Sequence, residues 1–352
     1  MDTTRLQRAV LRGSTAAATL GAVVVAAGCG GAAIVRVDAQ PVTSRPVHPV
    51  SMEPARAVFV DAAGARDTRL VRLDLATGRR RVLLRSSSVR GGEVGLRAPA
   101  LSPDGRSVAV VSAVGGPDYR TVSTILVVPV AGGRARRVPG VRLVDAGQLA
   151  PVWTPDGHAL ALPHDAEHDN MDLVDVRTGR RRALLRGSAW GPVAFAPDGK
   201  TYAFSGPGGL WVRRAGRERA HRVARDARAP AWSPDGRHLA YLSTRDRHGR
   251  VSLGDAGSGD AAELYVADAG GSHARRLTET TADELAPPRW TTDSTAIALL
   301  RFDAGVVTAR AIGVARRCDA PLAKPAGDAF SSDPTAWDLR APLVAIARHG
   351  CR

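Results

Sequence analysis

The sequence predicts an all-β fold, a β-propeller of four-stranded antiparallel blades. Three observations predict it. A corner phrase built on Pro-Asp-Gly recurs along the chain. A second phrase recurs between the corners, made of an apolar strand, a Gly-containing turn and an Arg-rich strand. No segment from Val50 to Arg348 carries an apolar stripe at helical spacing.

The corner phrase is clearest in "AWSPDGRHLAYLS", Ala231–Ser243. Pro234 presets φ for the first central position of a type I turn, Asp235 tolerates the second and can bond its own backbone, and Gly236 allows the positive φ that follows. Residues on both sides alternate with the strand period of two. The stretch therefore reads as strand, tight turn, strand. Pro103-Asp104-Gly105, Pro155-Asp156-Gly157 and Pro197-Asp198-Gly199 repeat it, and a decayed copy keeps Asp293. A weaker one, Ala336–Arg348, keeps Trp337 and Asp338. Successive corner aspartates lie 52, 42, 37 and 58 residues apart, close to the length of one four-stranded blade. The corners read as ordinary hairpin turns with no direct part in binding.

The second phrase appears in "RLVRLDLATGRRRVLLR" (Arg69–Arg85), "MDLVDVRTGRRRALLRG" (Met171–Gly187) and "ELYVADAGGSHARRLTE" (Glu263–Glu279), with weaker forms at Thr124–Gly140 and Gly208–Ala224. Each is a second hairpin. Two hairpins per unit make one blade, with the corner phrase as its inner hairpin. Counting Val306–Cys318, six second hairpins are present. First-hairpin strands number seven if Arg56–Ala62 and Pro342–Arg348 both count, so seven blades, with the two chain ends sharing one, stay open. In either case the last strands are expected to pair with the first blade and remove an exposed sheet edge.

The corner phrase and the following "ELYVADAGGSHARRLT" resemble the TolB-like β-propeller repeat, over about residues 55–350. The resemblance implies six blades and an association with envelope assemblies. It says little about a ligand, because such scaffolds carry many functions.

Ahead of the repeats, Arg5, Arg8 and Arg12 precede an uncharged stretch, Gly13–Gly28, and then Cys29. A basic head, a short apolar body (Leu20–Ala27) and small residues describe a secretory signal over residues 1–28. Cys29 after Ala26-Ala27-Gly28 resembles a bacterial lipoprotein site, with lipid on the Cys sulfur and cleavage before it. Ala26 departs from the Leu usual three residues before the Cys. An uncleaved anchor, Gly13–Val35, and plain secretion stay open. All three place the propeller outside the cytoplasm. Polar, Pro-containing residues 29–54 read as a flexible tether, and 55–352 as the propeller.

The chain carries 49 Lys+Arg against 34 Asp+Glu, a net charge of +15 that becomes +13 without residues 1–28. Lys200 and Lys324 are the only lysines. Because the arginines recur at one place in each blade, the charge is spread around the rim. That argues against a nucleic-acid partner and leaves an anionic envelope surface as an electrostatic partner. With Cys29 lipidated, Cys318 and Cys351 remain, and an even pair in an exported chain favours a disulfide.

Candidate chemistry is thin. "HDAEH" (His164–His168) fits the inverted zinc-peptidase pattern, but that motif needs a helix and this one follows a strand. A looser metal site of His164, Glu167, His168 and Asp169, and a calcium site of Asp255, Asp260 and Glu263, are weaker readings than solvated loops. No G-x-S-x-G, P-loop or dinucleotide fingerprint is present. The expectation is a monomeric, non-enzymatic protein-binding or scaffolding propeller of the cell envelope, with no cofactor and no metal. Its recognition surface is expected at the long insertions Ala113–Thr121, His164–Asn170 and Thr244–Glu263. The rivals are a hydrolase or lyase at the channel mouth, or a small-ligand or metal sensor there.

Overall fold

The structure, a computed structural model, describes residues 56–338 apart from 65–66, 75–76, 90–93, 116–120, 145–150, 165–169, 188–192, 218, 247–249, 253–257, 261, 280–283, 286, 304–305, 316–318 and 322–335; residues 1–55 and 339–352 also lie outside the description. Cys29, Cys318 and Cys351 are therefore outside the described residues, as are Glu167, His168, Asp169 and Asp255.

Six antiparallel blades follow one another. Blade 1 holds β1 (Arg56–Gly64), β2 (Asp67–Asp74) and β3 (Arg80–Arg85). Blade 2 holds β4 (Val94–Leu101), β5 (Ser107–Gly115), β6 (Thr121–Pro129) and β7 (Arg136–Arg137), with β8 (Leu143–Val144) also on β6. Blade 3 is β9 (Val152–Trp153), β10 (Ala159–Pro163), β11 (Met171–Asp175) and β12 (Arg181–Leu185). Blade 4 is β13 (Ala194–Phe195), β14 (Thr201–Gly206), β15 (Gly209–Arg214) and β16 (His221–Arg225). Blade 5 begins with β17 (Ala227–Trp232) and β18 (His238–Ser243), is interrupted by a separate hairpin, β19 (Arg250–Ser252) with β20 (Ser258–Asp260), and resumes with β21 (Glu263–Asp268) and β22 (Arg275–Arg276). In blade 6, β23 (Glu284–Leu285) and β24 (Arg289–Trp290) both pair with β25 (Ala296–Asp303), which precedes β26 (Val306–Gly313) and β27 (Asp319–Pro321). Then β28 (Ala336–Asp338) returns to β1, with Ala57 opposite Trp337, and becomes the first strand of blade 1.

The count is thus six, not seven. The decayed Ala336-Trp337-Asp338 phrase takes its hairpin partner from the start of the propeller. Among the described residues the only helical turn is the 3-10 stretch Ser86–Ser88.

Why these segments form blades follows from their burial. The second and third strands carry the buried apolar runs. β18 is buried at five successive residues and β21 likewise, because each blade is covered on both faces by its neighbours. Five apolar clusters of the described residues each bridge two successive blades. One joins Val58, Val60 and Leu70 of blade 1 to Val108, Val110 and Leu126 of blade 2, and another joins Leu210 and Val212 of blade 4 to Tyr241 and Tyr265 of blade 5. Burying such side chains contributes about 1.5–3 kcal/mol each. The fourth strands show the opposite pattern. Arg80, Arg81 and Val82 of β3, and Arg181, Arg182 and Ala183 of β12, are exposed, so the repeated arginines ring the periphery.

One insertion is shorter than the sequence suggested. The Val/Ala/Ser run pairs onward as Ala113 with Ser123 and Gly115 with Thr121, so only residues 116–120 connect β5 to β6.

Candidate functional site

Each blade sends its strand 1–2 and 3–4 turns to one face of the ring, and its strand 2–3 connection to the other. The long connections leave after Gly115, Pro163 and Ser243 and return at Thr121, Met171 and Glu263. All three are strand 2–3 connections, so they share the face opposite the Pro-Asp-Gly corners.

Polar residues hold the strand ends on this insertion face. Asp172, at the start of β11, is almost wholly buried. It meets His164 Nδ1 at 2.6 Å, Arg186 Nη2 at 2.9 Å and Arg181 Nη1 at 3.6 Å. Burial alone pushes this carboxyl up, but hydrogen bonds from His164 and Arg186 outweigh it and hold it below the usual carboxylate range. An ionised carboxylate only accepts, so His164 presents its Nδ1–H to Asp172 and turns its other ring nitrogen away. In blade 5, buried Glu263 accepts from Thr278 Oγ1 at 2.5 Å. Next to it, the Tyr265 hydroxyl donates to Asp246, and the Arg245 guanidinium lies 4.3 Å from the Tyr265 ring centroid. Burial, then the bond to Asp246, pushes the Tyr265 hydroxyl up to about 12. In blade 1, Ser86 Oγ donates to Asp67 at 2.9 Å and accepts from Thr68 N at 2.9 Å.

Of the candidate metal ligands that are described, His164 bonds Asp172 through Nδ1 alone, and Glu263 is a buried strand residue bonded to Thr278. Asp260 lies in β20. Among the described residues no group of three or more His, Cys, Asp or Glu is placed to hold a metal ion. Sequence reading missed Asp172, Arg186 and Arg181, because their contact joins adjacent strands whose register no local motif reveals.

The corners occupy the other face. In blade 5, Ser233 Oγ donates to Asp235 Oδ1 at 2.5 Å and accepts from His238 N at 2.9 Å, while Gly236 takes φ 71°. Ser102 with Asp104, Thr154 with Asp156 and Thr291 with Asp293 repeat the bond. Gly105, Gly157 and Gly199 all have positive φ. Blade 4 has Ala196 in place of the hydroxyl, and there Asp198 is bonded instead by Lys200 N, Thr201 N and Thr201 Oγ1. All five aspartates are held below the usual range. The corners also meet across blades. Pro103 Cδ lies against Gly157, Pro197 against Gly236, and Asp235 N donates to Ser294 Oγ at 3.1 Å.

No protein-family model matches the chain. A segment of 68 residues is 38% identical to the uncharacterized peptidase YuxL of Bacillus subtilis (strain 168), covering 19% of this chain and 8% of that protein. Among solved structures, TolB from Acinetobacter baumannii superimposes with a TM-score of 0.61 at 16% identity, over 82% of this chain and 67% of that one. A putative TolB from Agrobacterium tumefaciens gives a TM-score of 0.47 at 17% identity, over 82% of this chain and 99% of that one. The Acinetobacter match shows a shared propeller fold. Among the described residues no helix is long and apolar enough to cross a membrane.

Proposed function

We propose that the chain is an extracytoplasmic, membrane-tethered β-propeller that works as a protein-binding or scaffolding module of a cell envelope and docks its partner on the insertion face. The observation that supports this is the shared position of the three long strand 2–3 connections, on strand ends fastened by Asp172 and Glu263. Loops on a rigid scaffold are where recognition residues concentrate. Cross-linking in envelope extracts tests it, with the full chain as bait beside a variant whose connections 116–120, 165–169 and 247–261 are replaced by short Gly-Ser turns. A partner captured by the wild type and lost from the variant is expected. Equal capture by both sinks the docking face.

The tether is proposed at Cys29. Diacylglycerol attachment needs the Cys sulfur, so Cys29→Ser is expected to leave an uncleaved precursor without lipid. Identical mass and detergent partition in both forms would falsify it, and the Gly13–Val35 anchor would replace it.

The second reading is an enzyme on the insertion face, a hydrolase or lyase. It rests on His164, a half-exposed imidazole oriented by a buried carboxylate, which is the arrangement of a general base. Turnover of an ester, peptide or uronide panel that is abolished by His164→Ala is what this reading requires.

A further inference from the structure

We propose that the cleft between blades 4 and 5, on the corner face, binds a small molecule bearing an oxyanion, either phosphate or carboxylate. The cleft has a volume of about 700 Å³, within the range of small-molecule sites. It lies at the opposite ends of the strands from the insertion face, so it is independent of the docking surface proposed there.

Its lining carries more cations than anions, three arginines against two aspartates. The β15–β16 hairpin supplies Arg214, Arg217, Arg219 and His221 to the wall. The carboxylates facing them are Asp198 and Asp235, and both are engaged in their own turns. Asp198 accepts three hydrogen bonds from Lys200 and Thr201, and Asp235 accepts from Ser233 Oγ and from Arg237 N. Burial pushes the Asp198 carboxyl up, but the turn's own bonds outweigh it, and the nearby Arg214 adds to the lowering. Among the described residues, no ion pair engages the side chains of Arg217 and Arg219. Glu218, between them, lies outside the description. Guanidinium forks match the geometry of carboxylate and phosphate oxygens.

A second observation explains why the cleft is at this seam. Trp153 and Trp290, at the corner position of blades 3 and 6, each donate the indole N–H to the preceding blade, to Ala100 O and Ala231 O, both at 2.9 Å. Trp232 holds the same position in blade 5, and Ala194 carries the equivalent carbonyl in blade 4. That bond is not made. Trp232 Nε1 is buried without a hydrogen-bond partner, and Trp232 lines the cleft. The stitch that closes two other seams is missing where the arginines converge.

Calorimetric titration of the full chain at low ionic strength tests the proposal, with inorganic pyrophosphate and citrate as separate probes. Saturable one-to-one binding of at least one probe is expected. It should weaken about tenfold or more in Arg217→Ala/Arg219→Ala, the range for loss of charge-assisted bonds. It should persist in Arg136→Ala/Arg137→Ala, which removes the same charge from the exposed fourth strand of blade 2. Pyrophosphate alone binding assigns a phosphate ligand, and citrate alone a carboxylate. Absence of saturable binding by either probe, or equal weakening in the two double variants, overturns the proposal, because the effect would then be that of general rim charge.

Discussion

Ser233 has no exposed surface, and its hydroxyl holds both sides of the blade 5 corner. Removing it leaves His238 N without that acceptor and Asp235 without the bond that contributes most to lowering its pKa. Ser233→Ala is expected to cost about 1–2 kcal/mol, read as a lower denaturation midpoint. The corner aspartates add a pH dependence. A carboxyl whose folded pKa lies below its unfolded value, about 3.9, gives stability that is complete above that value and lost as pH falls through the folded pKa. The melting temperature should therefore fall below about pH 4, and Ser233→Ala should flatten the blade 5 share of that fall. An unchanged acid profile contradicts this. The turn itself was legible, since Pro, Asp and Gly each have a local reason to be there. The Ser or Thr two residues before four of the five corner aspartates was visible in the sequence, but its bond is a tertiary fact of the closed corner. Asp172 was less legible still, because His164 and Arg186 reach it only once three strands are paired in register.

Blade seams differ in a way that Trp→Phe substitutions can resolve. Trp290 spans the seam between blades 5 and 6 by its bond to Ala231 O, while Trp232 makes no such bond. Trp290→Phe loses a hydrogen bond as well as ring area and leaves a buried carbonyl short of a partner. Trp232→Phe loses ring area but also removes an unsatisfied donor. The first is expected to be the more destabilising by about 1–2 kcal/mol, measured by chemical denaturation of each variant. Equal costs would show that the indole bond is not what distinguishes the seams. At this scale the sequence was informative about strands and poor about seams. Second and third strands announce themselves by unbroken apolar runs such as Leu239–Leu242, because neighbouring blades cover both faces. Fourth strands announce themselves by Arg. Trp153, Trp232 and Trp290 are identical letters in near-identical phrases, so nothing local predicts that one of them lets go of its neighbour. The cleft beside Trp232 was accordingly invisible until the blades were set side by side.

Closure of the ring rests on β28. The TolB-like resemblance favoured six blades, with seven open if the two chain ends shared one; the structure has six, and the ends do share one. Strand pairing decides it, with Arg56 opposite Asp338 and Val58 opposite Ala336. β1 therefore has a partner on each side, β2 from its own end of the chain and β28 from the other. Without β28, β1 becomes an open edge with unpaired N–H and C=O groups, a template for association with another chain. The loss is also topological. A propeller held by sequential contacts alone behaves as an open stack whose terminal blade can fray, whereas the returning strand couples blade 6 to blade 1. A chain truncated after residue 335 should thus keep the sheet content of blades 2 to 5. It should unfold at a lower denaturant concentration with a broader transition, and form larger species than the full chain does at the same concentration. Circular dichroism, urea titration and size-exclusion chromatography read these three effects. A truncated chain with the same midpoint, the same sharpness and the same elution would mean that blade 1 is held by β1, β2 and β3 alone, and that the seam between blades 6 and 1 does not depend on the strand that crosses it.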